Sequence, residues 1–344
     1  MLPFAPFLIP LTALVLSLVL FGGFVGLAGA DVLAVYYSIY RGAFGTWFSW
    51  QNTLTSAAPL MLTALCTALP ARLGLIVIGG EGAVVAGGLM AALTGLALID
   101  ANPWAALAGM ALAAMLAGGL LIGLVGWLRH SRNVNETISS LLLNYTSIAV
   151  LSFLVVGPLR DPETLNKPST HHIGETHMLG SLSESSIHWG FGYGIIVCLL
   201  LWVLYKRMVF GFAVDMAGGN IRAAKLSGLP VGRIAVLVCM TGGAAAGLAG
   251  MVEVAAVHGR ANTSLNADYG YEGILISFAA RHHPLAIIPV AILFGGIRAA
   301  GGLMQRDHGL PDATRLVLQG IIFMLLLGSE AVFARLAEQR GRAA

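Results

Sequence analysis

The sequence predicts an all-α polytopic membrane protein of about ten helical segments, forming one domain over residues 1–344. Three observations carry that expectation. Only 10% of the residues are charged, where a soluble domain carries about 25%. Hydrophobic residues make up 57%, and they gather into runs near the ~20 residues that a spanning helix needs. The 44 glycines fit the same class, because small residues let membrane helices approach closely. A formal net charge of +3 is too small to point to nucleic acid.

The apolar runs fall at 7–30, 52–70, 75–98, 104–128, 137–158, 190–206, 233–257, 284–303 and 315–334. The first has no preceding Lys or Arg and outlasts the h-region of a signal peptide, so a retained helix is expected. A tenth run, 271–280, is too short to cross alone and reads as a half-helix or part of a tilted span. Cys66, Cys198 and Cys239 lie inside apolar runs with neither pairing nor metal spacing, and read as small buried hydrophobes. GxxxG spacings at Gly22–Gly26, Gly119–Gly123 and Gly243–Gly247 predict tight helix packing.

Orientation is read from Lys and Arg in the loops. The loop 206–233 holds Lys206, Arg207, Arg222, Lys225 and Arg233 against one acid, Asp215. Arg72, Arg129 and Arg132, and the tail with Arg335, Arg340 and Arg342, fall on the same side when ten segments are counted. That side is expected to be the cytoplasm, with both termini there. The long loop 159–189, mixed in charge and rich in His and Ser, is expected in the periplasm.

The loop 206–233 also carries helix signals. Asn220 is a good N-cap, "IRAAKLS" a good short helix, Gly228 a natural C′ residue, and Pro230 lies just beyond. A helix of about two turns is expected on the membrane surface, contacting lipid or a soluble partner through Ile221, Ala224 and Leu226, with Arg222 and Lys225 as flanking charge. "NVNETISSLLLNY" places Asn133 three residues before Glu136, a capping arrangement. Three buried-looking polar groups stand out in apolar runs: Glu81, Asn144 and Glu253. A carboxylate at bilayer depth must face the protein interior, a cavity or a partner. Glu81, flanked by Gly79, Gly80 and Gly82, reads as a cap on freed N–H groups at a helix start, as a lining group of a translocation path, or as a proton relay. Asn144 reads as interhelical glue or a pore-lining group. "THHIGETH" offers His171, His172 and His177 as possible metal ligands, but it reads better as a solvated loop meeting another protein. No metal site and no nucleic-acid site is expected.

Four stretches together resemble one family. "GGNIRAAKLSGLPVGRIAVLVCMTGGAAAGLAGMVEVAAVHGR" resembles the cytoplasmic coupling segment and following helix of bacterial ABC-importer permeases. "VIGGEGAVVAG", "NETISSLLLNYTSIAV" and "GILISFAARHHPLAIIPVAILFGGIRAAG" resemble, in order, the signatures of the branch serving simple sugars and nucleosides, within the group that also serves branched-chain amino acids and ribose. Val77 and Ala83 stand where that branch has Asn and Gln, and Ala280 where it has Gly.

The resemblance implies a permease subunit that forms the path for a nucleoside or simple sugar in a bacterial cytoplasmic membrane. It implies an ABC ATPase docked on 206–233, a second permease chain and a periplasmic or lipid-anchored substrate-binding protein, all set in membrane lipid. No cofactor is expected on this chain, and ATP would be used by the partner. The sequence carries no GxxxxGK[ST], GxSxG or HExxH motif, so a transport subunit rather than an enzyme is expected. From the residues alone, an ion-coupled secondary transporter with a site at Glu81, Asn144 and Glu253 stays open.

Overall fold

The structure, a computed structural model, describes residues 5–164, 167–182 and 185–343. Residues 1–4 of the N-terminal run and four residues of the loop 159–189 lie outside the described residues, as do the side chains of Arg335, Arg340 and Arg342. Thirteen α-helices account for most of the described chain, and the few backbone pairings outside helices are isolated bridges. Among the described residues seven helices are long and apolar enough to cross a membrane, and a bent helix pair makes an eighth if it counts as one span.

The chain forms two compact units, Met1–Ser56 with Ile292–Ala344, and Ala57–Ala291. No change of composition marks that division, because both units are built from the same kind of apolar helix.

The first unit opens with α1 (Ala5–Leu27) and α2 (Val32–Phe44), bent by 119° across Ala28–Asp31. Asp31 makes the corner by capping α2, its Oδ1 accepting the N–H of Leu33 at 3.0 Å. The bend is closed by Tyr36, whose hydroxyl donates to the Leu18 carbonyl. Sequence reasoning missed α2. Its 13 residues are too short to register as a span, and its polar Tyr and Ser positions broke the apolar run. The next helix, α3 (Trp47–Ala71), begins inside this unit, where Thr53 donates to the Ala43 carbonyl at 2.7 Å.

The second unit holds α4 (Gly80–Ala97), α5 (Pro103–Arg132), α6 (Glu136–Val156), α7 (Gly190–Arg207), α8 (Val209–Gly219), α9 (Ile221–Leu226), α10 (Val231–Glu253) and α11 (Tyr269–Ala279). The last helices are α12 (Pro284–His308) and α13 (Ala313–Ala343). In the first unit, α13 packs on α1 and His308 bonds Ser38 at 2.8 Å.

The core of the second unit is a three-helix crossing made by glycine. Gly247 of α10 lies against Gly118 of α5 on one side and Gly87 of α4 on the other. A Cβ on Gly247 would stand 3.3 Å from the Gly118 Cα and closer still to the Ala114 carbonyl. This is the tight packing expected of Gly243–Gly247. The Gly119–Gly123 pair meets Met240 and Ala244 of the same α10.

Helix ends follow local chemistry, with one correction. Asn135, not Asn133, caps α6, accepting the N–H of Thr137 at 2.9 Å and of Ile138 at 3.1 Å. Asn133 instead closes α5 in a left-handed conformation (φ 52°), which Asn tolerates better than most residues. Glu136 pairs with Arg129 at 3.3 Å. The free cysteines Cys66, Cys198 and Cys239 are all buried. Beyond α10 the chain makes one π turn, Val254–His258, and α11 is an 11-residue half-helix of about 16 Å.

Candidate functional site

The run 75–98 does not become one helix. Residues 75–78 are irregular, and α4 starts only at Gly80. Backbone freed inside a membrane protein must be satisfied by protein or water. Here side chains of the neighbouring helices do it. Thr137 of α6 donates to the Ile76 carbonyl at 2.9 Å, and Ser140 accepts the Ile78 N–H at 3.1 Å. Thr67 of α3 donates to the Val77 carbonyl at 3.4 Å. Asn144, one turn past Ser140, accepts the Gly82 N–H with its Oδ1.

Glu81 sits at this break with no exposed surface. Its carboxylate does not cap its own helix. It reaches the start of α11, where Oε1 accepts the Asp268 N–H at 2.9 Å and Oε2 the Gly270 N–H at 2.5 Å. Asp268 holds φ 65° and gives its helix no side-chain cap. Glu81 therefore supplies the cap from 187 residues away, where the helix dipole also favours a negative group. The approach is possible only because Gly270 has no side chain: a Cβ there would stand 2.5 Å from the Glu81 Cα.

Asn144 completes the junction. It is fully buried, and its Nδ2 donates to the Tyr271 hydroxyl at 2.8 Å. Thr63 of α3 donates to the Tyr269 carbonyl at 2.9 Å. The half-helix α11 is thus tied at its first turn to α3, α4 and α6. Glu253 lies apart, at the end of α10. The π turn brings His258 back to it, with Nε2 3.6 Å from Oε2. The structure brings Glu81 and Asn144 together and leaves Glu253 outside that group.

Sequence reasoning missed Thr67, Thr137, Ser140, Tyr271 and the receiving amides of α11. A signal existed for α6, since Ser140, Asn144 and Ser147 recur at helical spacing on one buried face.

The region 206–233 folds as two helices. The unexpected α8 fills 209–219, and α9 follows a one-residue corner at Asn220. Asn220 Oδ1 accepts the N–H groups of Arg222 and Ala223, each at 3.0 Å. At the other end Gly228 takes φ 81°, its N–H donating to the Lys225 carbonyl and that of Leu229 to the Ala224 carbonyl, both at 3.0 Å. That pair of bonds is a Schellman closure. The outward face differs from the expected one. Ile221 is 52% and Leu226 91% exposed, with Arg222 and Lys225 also exposed, while Ala224 has no exposed surface. Ala224 instead packs α9 onto the protein.

A contact joins this helix pair to the broken segment. Asp215 of α8 lies 3.6 Å from Arg72, in the turn between α3 and residues 75–78. Arg72 also stacks over the Tyr205 ring at 5.1 Å, and α8 passes so close that a Cβ on Gly218 would overlap the Arg72 carbonyl. Two residues of the corner between α11 and α12, His282 and His283, have their pKa values pulled down by burial first and by the Arg72 charge second.

The long loop is strapped down rather than simply solvated. Thr170 and Ile173 N–H groups donate to the Ala261 and Gly259 carbonyls, each at 2.9 Å, and Leu179 to Ala255 at 2.7 Å. Asp161 receives Arg260 at 3.8 Å and His171 at 3.4 Å. The other two histidines turn elsewhere: His172 accepts the Gly174 N–H and His177 bonds the Ile173 carbonyl.

Where the loop enters α7, buried His188 accepts the Gly190 N–H at 3.1 Å, and burial pushes its pKa down from 6.5 to about 4. The unfolded chain takes up this proton below 6.5 while the folded chain refuses it until about 4, so stability should fall as pH drops across that window and level off below it. The thermal midpoint in detergent should therefore drop further in wild type than in His188→Phe over that window. Equal drops would remove His188 as the cause.

Several helices long and apolar enough to span, a fully buried polar junction between them and a capped helix outside the spans define a multi-pass membrane protein. Residues 49–327 match the family described as the branched-chain amino acid transport system / permease component, and the chain belongs to it. It is 28% identical to the glucose ABC transporter permease protein TsgB13 of Haloferax volcanii, over 87% of this chain and 81% of the relative. It is 26% identical to the guanosine ABC transporter permease protein NupP of Bacillus subtilis, over 94% of each chain. It is 25% identical to the nucleoside ABC transporter permease protein NupB of Lactococcus lactis, over 92% and 90%. Permeases of this class work with an ATPase and a substrate-binding partner.

Proposed function

We propose that the chain is the permease subunit of an ATP-driven importer, lying in a bacterial cytoplasmic membrane with α9 and both termini on the cytoplasmic side. The observation that carries the reading is α9: a helix capped at both ends, anchored inward by Ala224, and offering Ile221 and Leu226 to solvent between basic residues. Ile221 and Leu226 together give this capped helix an apolar surface, flanked by charge, that a protein partner can cover. The partner is an ATPase subunit, which binds and hydrolyses ATP, so this chain holds no cofactor and breaks no bond. A second permease chain completes the path, and a substrate-binding protein delivers the ligand from the other side.

The ligand class is a nucleoside, with a simple sugar next. The names of the relatives support it. Glu81, Asn144 and Glu253 shape the path from behind, since each is engaged by protein groups. When the ATPase closes, α9 and α8 move together. The Asp215–Arg72 contact passes that displacement to residues 75–78, and thence to Glu81 and α11.

Co-purification with the ATPase tests the reading. Leu226→Glu places an acid on the outward face without disturbing the packed one, and should cut ATPase recovery by tenfold or more while the permease stays folded. Ala224→Glu is unsuitable, because it would bury a charge. Recovery unchanged in Leu226→Glu and in Ile221→Glu would remove the docking role of α9.

A further inference from the structure

We propose that the cleft between the C-terminal end of α5 and the α9–α10 corner binds an anionic phospholipid. This does not rest on the transport reading. The cleft holds about 640 Å³, and its wall changes character with depth. His130 of α5, Lys225 of α9 and Arg233 of α10 form one part, all exposed. Among the described residues no carboxylate pairs with Lys225 or Arg233, and no acid lines the cleft. The other part is apolar: Trp127, Val236 and Leu237, with Trp127 46% and Leu237 48% exposed.

The two parts lie at different levels of the helices. Trp127 is five residues before the end of α5, and Leu237 six residues into α10. His130 follows Trp127 by three residues and Arg233 precedes Leu237 by four, so at 1.5 Å per residue the apolar trough lies about 4.5–6 Å along the spans from the charged rim. The rim is also where α10 begins, at Pro230, with no side chain capping its first N–H groups, which favours an anion there. Gly232 presses on the His130 ring so closely that any Cβ would overlap it, which holds α5 and α10 together at the mouth.

A soluble anion would satisfy the rim and leave the trough bare. A docked protein loop would cover Leu226, the more exposed of the two large apolar residues of α9, yet Leu226 is not part of this wall. A phospholipid fills both levels, with its phosphate at Lys225 and Arg233 and an acyl chain beside Trp127. Basic pockets between spanning helices bind anionic headgroups in this way, and Trp favours the interfacial level.

The test uses the full chain in detergent and phospholipids with brominated acyl chains, which quench a neighbouring indole. The Trp127 signal is taken as the difference between wild type and Trp127→Phe. Phosphatidylglycerol should quench it at about 25-fold lower mole fraction than phosphatidylcholine, since each of the two basic residues near a headgroup contributes roughly fivefold. In Lys225→Gln/Arg233→Gln the preference should shrink to about twofold or less. Val236→Phe, which narrows the trough, should weaken quenching by both lipids. Equal quenching by the two lipids in wild type overturns the proposal, even if a variant fails to fold. So does a preference unchanged in the double variant. Relief of quenching by millimolar inorganic phosphate would assign the rim to a soluble anion, and complete exclusion of lipid by added ATPase subunit would make the cleft a protein interface; either result overturns the lipid assignment.

Discussion

Replacing Glu81 by glutamine should destabilise the folded protein by about 2–4 kcal/mol and abolish transport. The carboxylate gives one oxygen to the Asp268 N–H and the other to the Gly270 N–H. An amide keeps one acceptor and turns an NH2 group toward the second donor, so a buried N–H loses its partner and meets another donor. Water is not there to replace it, since Glu81 has no exposed surface. The first turn of α11 should loosen, and with it the Tyr271 hydroxyl held by Asn144. The measurement is a thermal or denaturant midpoint in detergent, read beside uptake in reconstituted vesicles. If Glu81→Gln kept the wild-type midpoint and lost only substrate affinity, the capping account would be wrong and a group in direct contact with substrate would replace it.

Gly247→Val should be worse, with loss of folded protein rather than a shifted midpoint. Even Gly247→Ala should cost several kcal/mol, in the upper range of overpacking, at about 3 kcal/mol or more. Overpacking is usually relieved by side chains swinging aside. Here the atoms in the way are backbone, the Ala114 carbonyl and the Gly118 Cα of α5, while Gly87 of α4 stands against the Gly247 main chain. A shift that frees one side presses on the other, because α10 is held between α4 and α5. Gly302, in the other unit, has nothing within 4 Å of its Cβ position and should accept alanine with little change, which makes it the matched control. Expression and monodisperse elution of the pair, compared side by side, check the claim.

The spans were legible because bilayer depth imposes a length that composition alone reveals. Runs such as 104–128 and 190–206 became α5 and α7 with only small shifts of their ends. The cap at Asn220 and the left-handed Gly228 were legible too, being local chemistry. What failed needed information from elsewhere in the chain or lay below the length signal. Both α2 and α8 are too short to show as spans. Ala224 was placed on the outward face because a six-residue helix has too few turns for its pattern to fix a face. The partner of Glu81 could not be found at all by local reading. The sequence announced a carboxylate needing donors, and only the fold brings residues 268 and 270 to it. The misplaced α6 cap had a simpler cause: two asparagines stand two residues apart, and φ, which sequence does not show, decides which one caps.

The irregular stretch at residues 75–78 has a mechanical meaning. The glycine crossing of α4, α5 and α10 interlocks main chain with main chain, and nothing slides there without disengaging everything at once. Residues 76, 77, 78 and 82 are instead attached to α3 and α6 by four separate side-chain tethers: two threonines, a serine and an asparagine. Each tether swivels about its own χ1 and lets go alone. The second unit therefore combines a welded seam with a row of independent fasteners, and shear of this segment against α3 and α6 should open along the fasteners, one side chain at a time.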